Sequence, residues 1–182
     1  MISNIPKSND LTRFSFIIAQ GLDRENLICA EIGTWIGLNA ENMLNLDPTM
    51  KLYCVDGYTN IGITDDYSEG KPEEVKAKAK ERLSKFGDRV QFVYKQSEEA
   101  YLDFPSEFFD YIYIDAGHDY FNVYRDMKTW WPKLKKGGVF GGHDISMGSV
   151  SKALVDFGDD NMLLGKIKKI EGGGKSDWWV VK

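Results

Sequence analysis

The stretch LICAEIGTWIGLNAENMLNLDPTMKLYCVD, Leu27 to Asp56, decides the fold. A short apolar run closes on Glu31, and Gly33 and Gly37 follow with Thr34 and Trp35 between them. A helix-compatible stretch comes next, and then a second apolar run that ends at Asp56. Strand, glycine turn, helix, strand and terminal acid make half of a nucleotide-binding α/β unit. Gly33 lets the chain turn sharply off the strand, and Gly37 lets a ligand or a helix approach the backbone. The acid closing the second strand is placed to accept hydrogen bonds from both hydroxyls of a ribose.

Two cofactor classes use such a unit, and the spacing separates them. A dinucleotide site needs G-x-G-x-x-G so that a pyrophosphate can rest on bare backbone at the helix N-terminus. Here the second glycine position holds Trp35, whose bulk argues against a pyrophosphate. The pattern E-x-G-x-x-x-G suits a cationic nucleoside without phosphate, and it resembles motif I of the class I methyltransferases. That resemblance implies S-adenosylmethionine as the ligand, with Asp56 as the ribose acid. The candidate cofactor-binding residues here are Glu31, Gly33, Thr34, Gly37 and Asp56, and later in the chain Ser97 and Asp115.

Length and composition set the class. A chain of 182 residues is expected to form one domain, residues 1–182, whose core is covered on both faces. Hydrophobic residues at 42% and charged residues at 28% are ordinary for a globular protein. A net charge of −5 without a basic stripe argues against nucleic acid as a partner. Cys29 and Cys54 fall inside apolar runs and read as buried free thiols of a reducing compartment. No apolar run is long enough to span a bilayer, and the N-terminus lacks a secretory h-region. The expectation is a cytoplasmic protein with no membrane partner.

The rhythm of strand and helix runs through the chain. Leu11 to Gly21 predicts a short helix within an N-terminal cap segment, residues 1–25. Strands are predicted at Leu27–Ile32, Lys51–Val55, Val90–Tyr94 and Tyr111–Ile114, and at Gly137–Asp144 with its paired glycines. Helices are predicted from Gly37 to before Pro48, from Pro72 to Phe86, from Tyr120 to Lys133 and from Ser149 to Phe157. The polar stretch Tyr58 to Pro72 reads as a long functional loop. Met162–Ile170 and Asp177–Val181 can close as a hairpin. This alternation predicts an α/β, Rossmann-like, mostly parallel sheet with helices on both faces.

Ligands of open α/β sheets bind at the carboxyl ends of the strands. Glu31, Asp56, Asp115, His143 and Asp144 all fall at or just past such ends, and the chain's two histidines are His118 and His143. Two carboxylates and an imidazole gathered there without a cation would repel or suffer heavy desolvation. A divalent ion such as Mg²⁺ or Mn²⁺ relieves this.

The stretch IDAGHDYFNVYRDMKTWWPKLKKGGVFGGHD, Ile114 to Asp144, carries a second resemblance. Its D-x-x-H-x-Y, D-x-x-x-W, L-x-x-G-G and terminal H-D elements are similar to those of macrocin and related sugar O-methyltransferases. A more distant likeness is to the catechol and caffeoyl-CoA enzymes. Together with motif I the resemblance covers roughly Leu27 to Ile145. It implies a seven-stranded class I methyltransferase sheet with an antiparallel terminal strand. It also implies Asp115, His143 and Asp144 as ligands of a divalent metal that binds the acceptor hydroxyl. His118 stands where the catechol-type enzymes carry their lysine base. Many relatives have an acid at the position of His143, and an imidazole shifts preference from Mg²⁺ toward Mn²⁺.

Other readings stay open beside these. His143 and Asp144 could be a pair capping the next helix, and His118 could orient Asp115 rather than take a proton. Ser97 either caps a helix or touches adenine. Asp126, Trp130 and Trp131 read as residues that pack in the core or face solvent; Trp35, Tyr58 and Tyr120 line an apolar pocket or pack. The expected activity is O-methylation of a small hydroxylated acceptor such as a sugar or natural-product glycoside, with Asp115, His118 and Asp144 as catalytic residues. The alternatives are a nucleotide-binding relative without catalysis and an NAD-dependent oxidoreductase. A lid comes from the Tyr58–Pro72 loop or from a partner subunit, or does not exist; the oligomeric state stays open, with a homodimer as one outcome.

Overall fold

The structure, a computed structural model, describes residues 25–59, 70–172 and 175–182. The N-terminal helix expected at Leu11–Gly21 and most of the Tyr58–Pro72 loop lie outside these residues. The strands are β1 (Ile28–Ile32), β2 (Lys51–Val55), β3 (Val90–Val93), β4 (Phe109–Ile114), β5 (Leu134–Gly142), β6 (Lys168–Gly172) and β7 (Lys175–Val181). The helices are α1 (Leu38–Leu46), α2 (Pro72–Leu83), α3 (Ser97–Ala100), α4 (Tyr120–Trp130) and α5 (Gly148–Asp160). One seven-stranded sheet forms in the order β3-β2-β1-β4-β5-β7-β6. The first five strands pair in parallel, and β7 inserts antiparallel between β5 and β6. This is the expected sheet.

Strands β1 to β5 and β7 feed two cores, because successive side chains point to opposite faces. In β1, Ala30 and Ile32 join the cluster under α4 and α5, while Cys29 joins the one under α1. The helices show the matching period. Val123, Asp126, Met127 and Trp130 of α4 are buried, an i, i+3, i+4, i+7 stripe. Trp130 and Trp131 pack as expected, Trp131 against the rings of Phe140 and Phe157. Asp126, a polar residue that the sequence would leave facing solvent, is 1% exposed instead. Its position one helical turn from Trp130 puts it on the inner stripe.

Strand β5 begins three residues before the predicted Gly137. Leu134 pairs with Phe109 and Val139 with Tyr111, so Lys135 to Gly138 form an irregularity that the paired glycines accommodate. Strand order reverses between β1 and β4, and the crevice at such a switch point is where open α/β sheets bind ligands. Glu31, Asp56, Asp115, His143 and Asp144 lie along that carboxyl edge, at or just past the ends of β1, β2, β4 and β5.

Candidate active site

The turn after β1 is built around Gly33, at φ +92°. A Cβ there would stand 2.1 Å from the Asp115 carbonyl oxygen and 2.7 Å from the Ala116 Cα, so the turn lies flat on the backbone leaving β4. Gly37, at φ +77°, is approached by the Leu83 side chain and Ala79 of α2 rather than by open crevice. Of the two partners that the sequence allowed for Gly37, a helix and a ligand, the helix is the neighbour seen.

Asp56 holds this turn. Its Oδ2 accepts the amides of Thr34 (3.1 Å) and Trp35 (2.8 Å), and its Oδ1 accepts the amide of Tyr58 (2.8 Å). A carboxylate offers about four acceptor positions, so these bonds leave room for roughly one ribose hydroxyl while the turn is closed. Burial raises the Asp56 carboxyl above its ordinary value, and the three amides pull it back. Trp35 and Tyr58 both sit at φ +47°, an uncommon conformation for bulky residues. The Tyr58 hydroxyl ties the two together by donating to the Trp35 carbonyl at 3.1 Å. Glu31 is 1% exposed, and its Oε1 accepts from the Asn39 side-chain amide at 2.7 Å. Asn39 escapes a reading of the sequence, where nothing marks an asparagine on α1 as oriented toward an acid on β1.

The second half of the site gathers at β4 and β5. His118 Nε2 lies 2.8 Å from Asp144 Oδ2 and 3.9 Å from Asp115 Oδ1. His143 Nδ1 reaches the same two acids, at 3.0 Å from Asp144 and 3.7 Å from Asp115. The structure therefore brings all four residues together. Asp115, His118 and Asp144 each offer a ligand atom within 4.8 Å of the others. Two carboxylates with imidazoles suit a divalent ion of the Mg²⁺–Mn²⁺ range, weighted toward Mn²⁺. Asp115 and Asp144 raise the His118 imidazole above its ordinary value, partly offset by burial. Asp144 at 2.8 Å and Asp115 at 3.9 Å both stand within ion-pair distance of this imidazole. Asp144 adopts φ +58°. Met147, and neither His143 nor Asp144, is the N-cap of α5, which removes the capping-pair alternative.

Beneath the cluster lies a small cavity whose walls include Ile114, Val123, Val150 and Trp178 together with His118 and His143. Tyr120 is turned away to α5, where its hydroxyl meets Asp156 at 2.7 Å.

Ser97 neither caps nor stands free. Gln96 is the N-cap of α3. The Ser97 hydroxyl donates to Asp126 Oδ1 (2.6 Å) and accepts from Trp130 Nε1 (2.8 Å). Burial pushes Asp126 up to about 6, against the Ser97 bond and the Arg125 charge. An acid whose folded value is raised above the unfolded value of about 3.9 contributes stability that is full below that value and is lost as pH rises through the folded one. Asp126→Asn should therefore gain on the unmutated protein between pH 5 and pH 7.5, by about 1–2 kcal/mol. Urea unfolding at the two pH values measures it; an equal difference at both would contradict the buried, titrating carboxyl.

A family model described as a methyltransferase domain matches residues 30–145. No curated protein matches the chain in sequence. Among solved structures, a SAM-dependent O-methyltransferase from Thermotoga maritima is similar at TM-score 0.66 and 16% identity, over 92% of this chain and 63% of that one. A precorrin-6y C5,15-methyltransferase from Geobacter metallireducens aligns at TM-score 0.64 and 16% identity, over 99% and 92%. The O-methyltransferase NovP aligns at 0.64 and 12%, over 94% and 80%. At these identities the likeness is one of fold. This chain spans less than two thirds of the Thermotoga protein's length. Among the described residues, no helix is long and apolar enough to cross a membrane.

Proposed function

This chain belongs to the methyltransferase domain family, and from that premise we propose that it moves the methyl group of S-adenosylmethionine to an oxygen of a small hydroxylated acceptor. One observation carries the reading. The glycine turn expected to seat the methyl donor is packed directly on Asp115, a member of the acid–histidine cluster. Donor pocket and proton-handling groups thus share a wall.

The crevice divides into two roles. Asp56, Gly33, Thr34 and Glu31 form the nucleoside side, where acidic groups favour a cationic donor. Asp115, His118, His143 and Asp144 form the acceptor side. Methyl transfer is an in-line displacement: the sulfur–methyl bond breaks as the oxygen–methyl bond forms, and S-adenosylhomocysteine leaves. The protein's task is to align the two reactants and to take the hydroxyl proton. His118 is the base in this reading, with Asp144 orienting its ring at 2.8 Å and stabilising the imidazolium. Asp115, His143 and Asp144 would hold a divalent cation, which when bound makes an acceptor hydroxyl more acidic.

A second reading has its own support. The ligand atoms of Asp115, His118 and Asp144 lie within 4.8 Å of one another, so His118 could be the nitrogen ligand itself. The proton would then pass to an acid or to water.

The test of the activity is release of S-adenosylhomocysteine across a panel of sugars, phenols, glycosides, amines and thiols, with and without EDTA. Turnover with a hydroxyl acceptor is the expected result; turnover only with amine or thiol acceptors would overturn the oxygen assignment. Undiminished turnover in EDTA would remove the metal alone. Asp56→Ala should weaken S-adenosylhomocysteine binding by roughly 1.5–3 kcal/mol, the range for hydrogen bonds to a charged group. Calorimetry giving an unchanged affinity would take Asp56 out of the site.

A further inference from the structure

Among the described residues, neither Asp126 nor Trp130 is hydrogen-bonded or ion-paired to Asp56, Asp115, His118, His143 or Asp144. They still meet at one point, the Ser97 hydroxyl, which donates to Asp126 at 2.6 Å and accepts from Trp130 at 2.8 Å. Both partners are closed off from water, at 1% and 0% exposure. Spaced by four residues on α4, they form the two-pronged clamp for which the D-x-x-x-W spacing is suited. An apolar residue would fill the site of Asp126 without burying a carboxyl. A buried acid there needs a reason beyond packing.

The reason is visible one residue earlier. Helix α3 has only four residues, too few to hold its own geometry. Ser97 is its first, and Gln96 is its N-cap, whose carbonyl accepts the amides of Glu99 and Ala100. The Gln96 side-chain amide donates to Thr59 Oγ1 and lies so close to Gly57 that a Cβ there would be 2.3 Å from Gln96 Nε2. Gly57 directly follows Asp56, whose own amide is bonded to the Val93 carbonyl at 3.1 Å. A second tie between the same two helices, Arg125 to Glu98 at 2.6 Å, lies at the surface.

We infer that Asp126 and Trp130 are positioning residues for the nucleoside side of the crevice. Through Ser97 they seat Gln96, and through Gln96 they seat the segment from Gly57 to Thr59 that follows the ribose acid. The inference rests on the reading of the Asp56 crevice as the seat of S-adenosylmethionine. It gives the D-x-x-x-W element a task in binding.

Calorimetry of the full chain with S-adenosylhomocysteine tests it. Ser97→Ala deletes the shared hydroxyl, and Trp130→Phe deletes the N–H while keeping an aromatic ring. Each should weaken binding about 3- to 10-fold, the range of one neutral hydrogen bond. The double variant should be about as weak as Ser97→Ala alone, since both changes act through one hydroxyl. Asp126→Asn keeps an acceptor for that hydroxyl and should stay within about 2-fold of the unmutated protein. Unmutated affinity in both single variants, with or without a lowered melting temperature, would reduce the clamp to core packing and overturn the inference. Losses that multiply in the double variant would overturn it too. If the unmutated chain itself fails to bind S-adenosylhomocysteine, the crevice reading falls and this inference with it, a result distinguishable because no variant is involved.

Discussion

Gly33→Ala should cost the protein a large part of its stability. A Cβ at this position would lie 2.1 Å from the Asp115 carbonyl oxygen, 2.5 Å from its carbonyl carbon and 2.7 Å from the Ala116 Cα. All three are backbone atoms at the end of the central strand β4, so no side chain can swing aside. The turn must lift away from β4, which strains the Asp115 amide's 2.7 Å bond to Ile32 and the Gly33 amide's 2.9 Å bond to Val55. The positive φ adds roughly 1–2 kcal/mol for any residue with a Cβ. Together a loss on the order of 4 kcal/mol is expected, a large part of the roughly 5–15 kcal/mol that holds a domain folded. Gly37→Ala is the control. Its φ is also positive, but the atoms it meets first, at 3.2–3.3 Å, belong to the flexible end of Leu83. It should lose about 1–2 kcal/mol. Urea unfolding of the two variants decides the matter: equal losses would mean that the Gly33 turn does not press on the Asp115 backbone.

His118→Ala should lower kcat by about 10²–10⁴-fold, the contribution of a positioned base. The affinity for S-adenosylhomocysteine should hardly change, since His118 stands on the acceptor side, 2.8 Å from Asp144. Manganese affinity measured on the same variant separates the two roles of this imidazole. A base leaves it near normal. A histidine that ligates or orients a ligand lowers it by roughly 10–100-fold. A variant with full turnover and normal metal affinity would sink both roles and leave Asp115 or a water molecule to take the proton. His143→Ala belongs beside it: if His143 is the nitrogen ligand, this variant loses metal affinity while His118→Ala keeps it.

Trp35 shows how far the bulk of one side chain can carry an exclusion. At the second glycine position it argues against a pyrophosphate, and the family match to a methyltransferase domain agrees. What the residue string does not tell is that Trp35 and Tyr58 are both forced to φ +47° around one carboxylate. Nor does it tell that Asp56, the candidate ribose acid, already accepts three amides. Backbone amides have no signature in the residue string, so their demand on an acid is invisible until the turn is built.

The sequence by itself determined the alternation of strands and helices, the glycine turn and the carboxyl-edge placement of Glu31, Asp56, Asp115, His143 and Asp144. These follow from local rules: period-two and period-3.6 patterning, glycine at a turn, and the convergence of parallel strand ends. The place of the last strand came from family likeness and not from periodicity, because register between distant strands is a non-local property. Only the tertiary structure decided three matters. It placed both histidines against the same pair of acids, where sequence spacing could put His118 merely near Asp115. It buried Asp126 and joined it with Trp130 to Ser97, 29 and 33 residues away along the chain. It seated Gly33 on the backbone of Asp115 and Ala116, just past β4. Each of these contacts joins elements far apart in the chain, and no helical or strand period can encode a distance across a sheet.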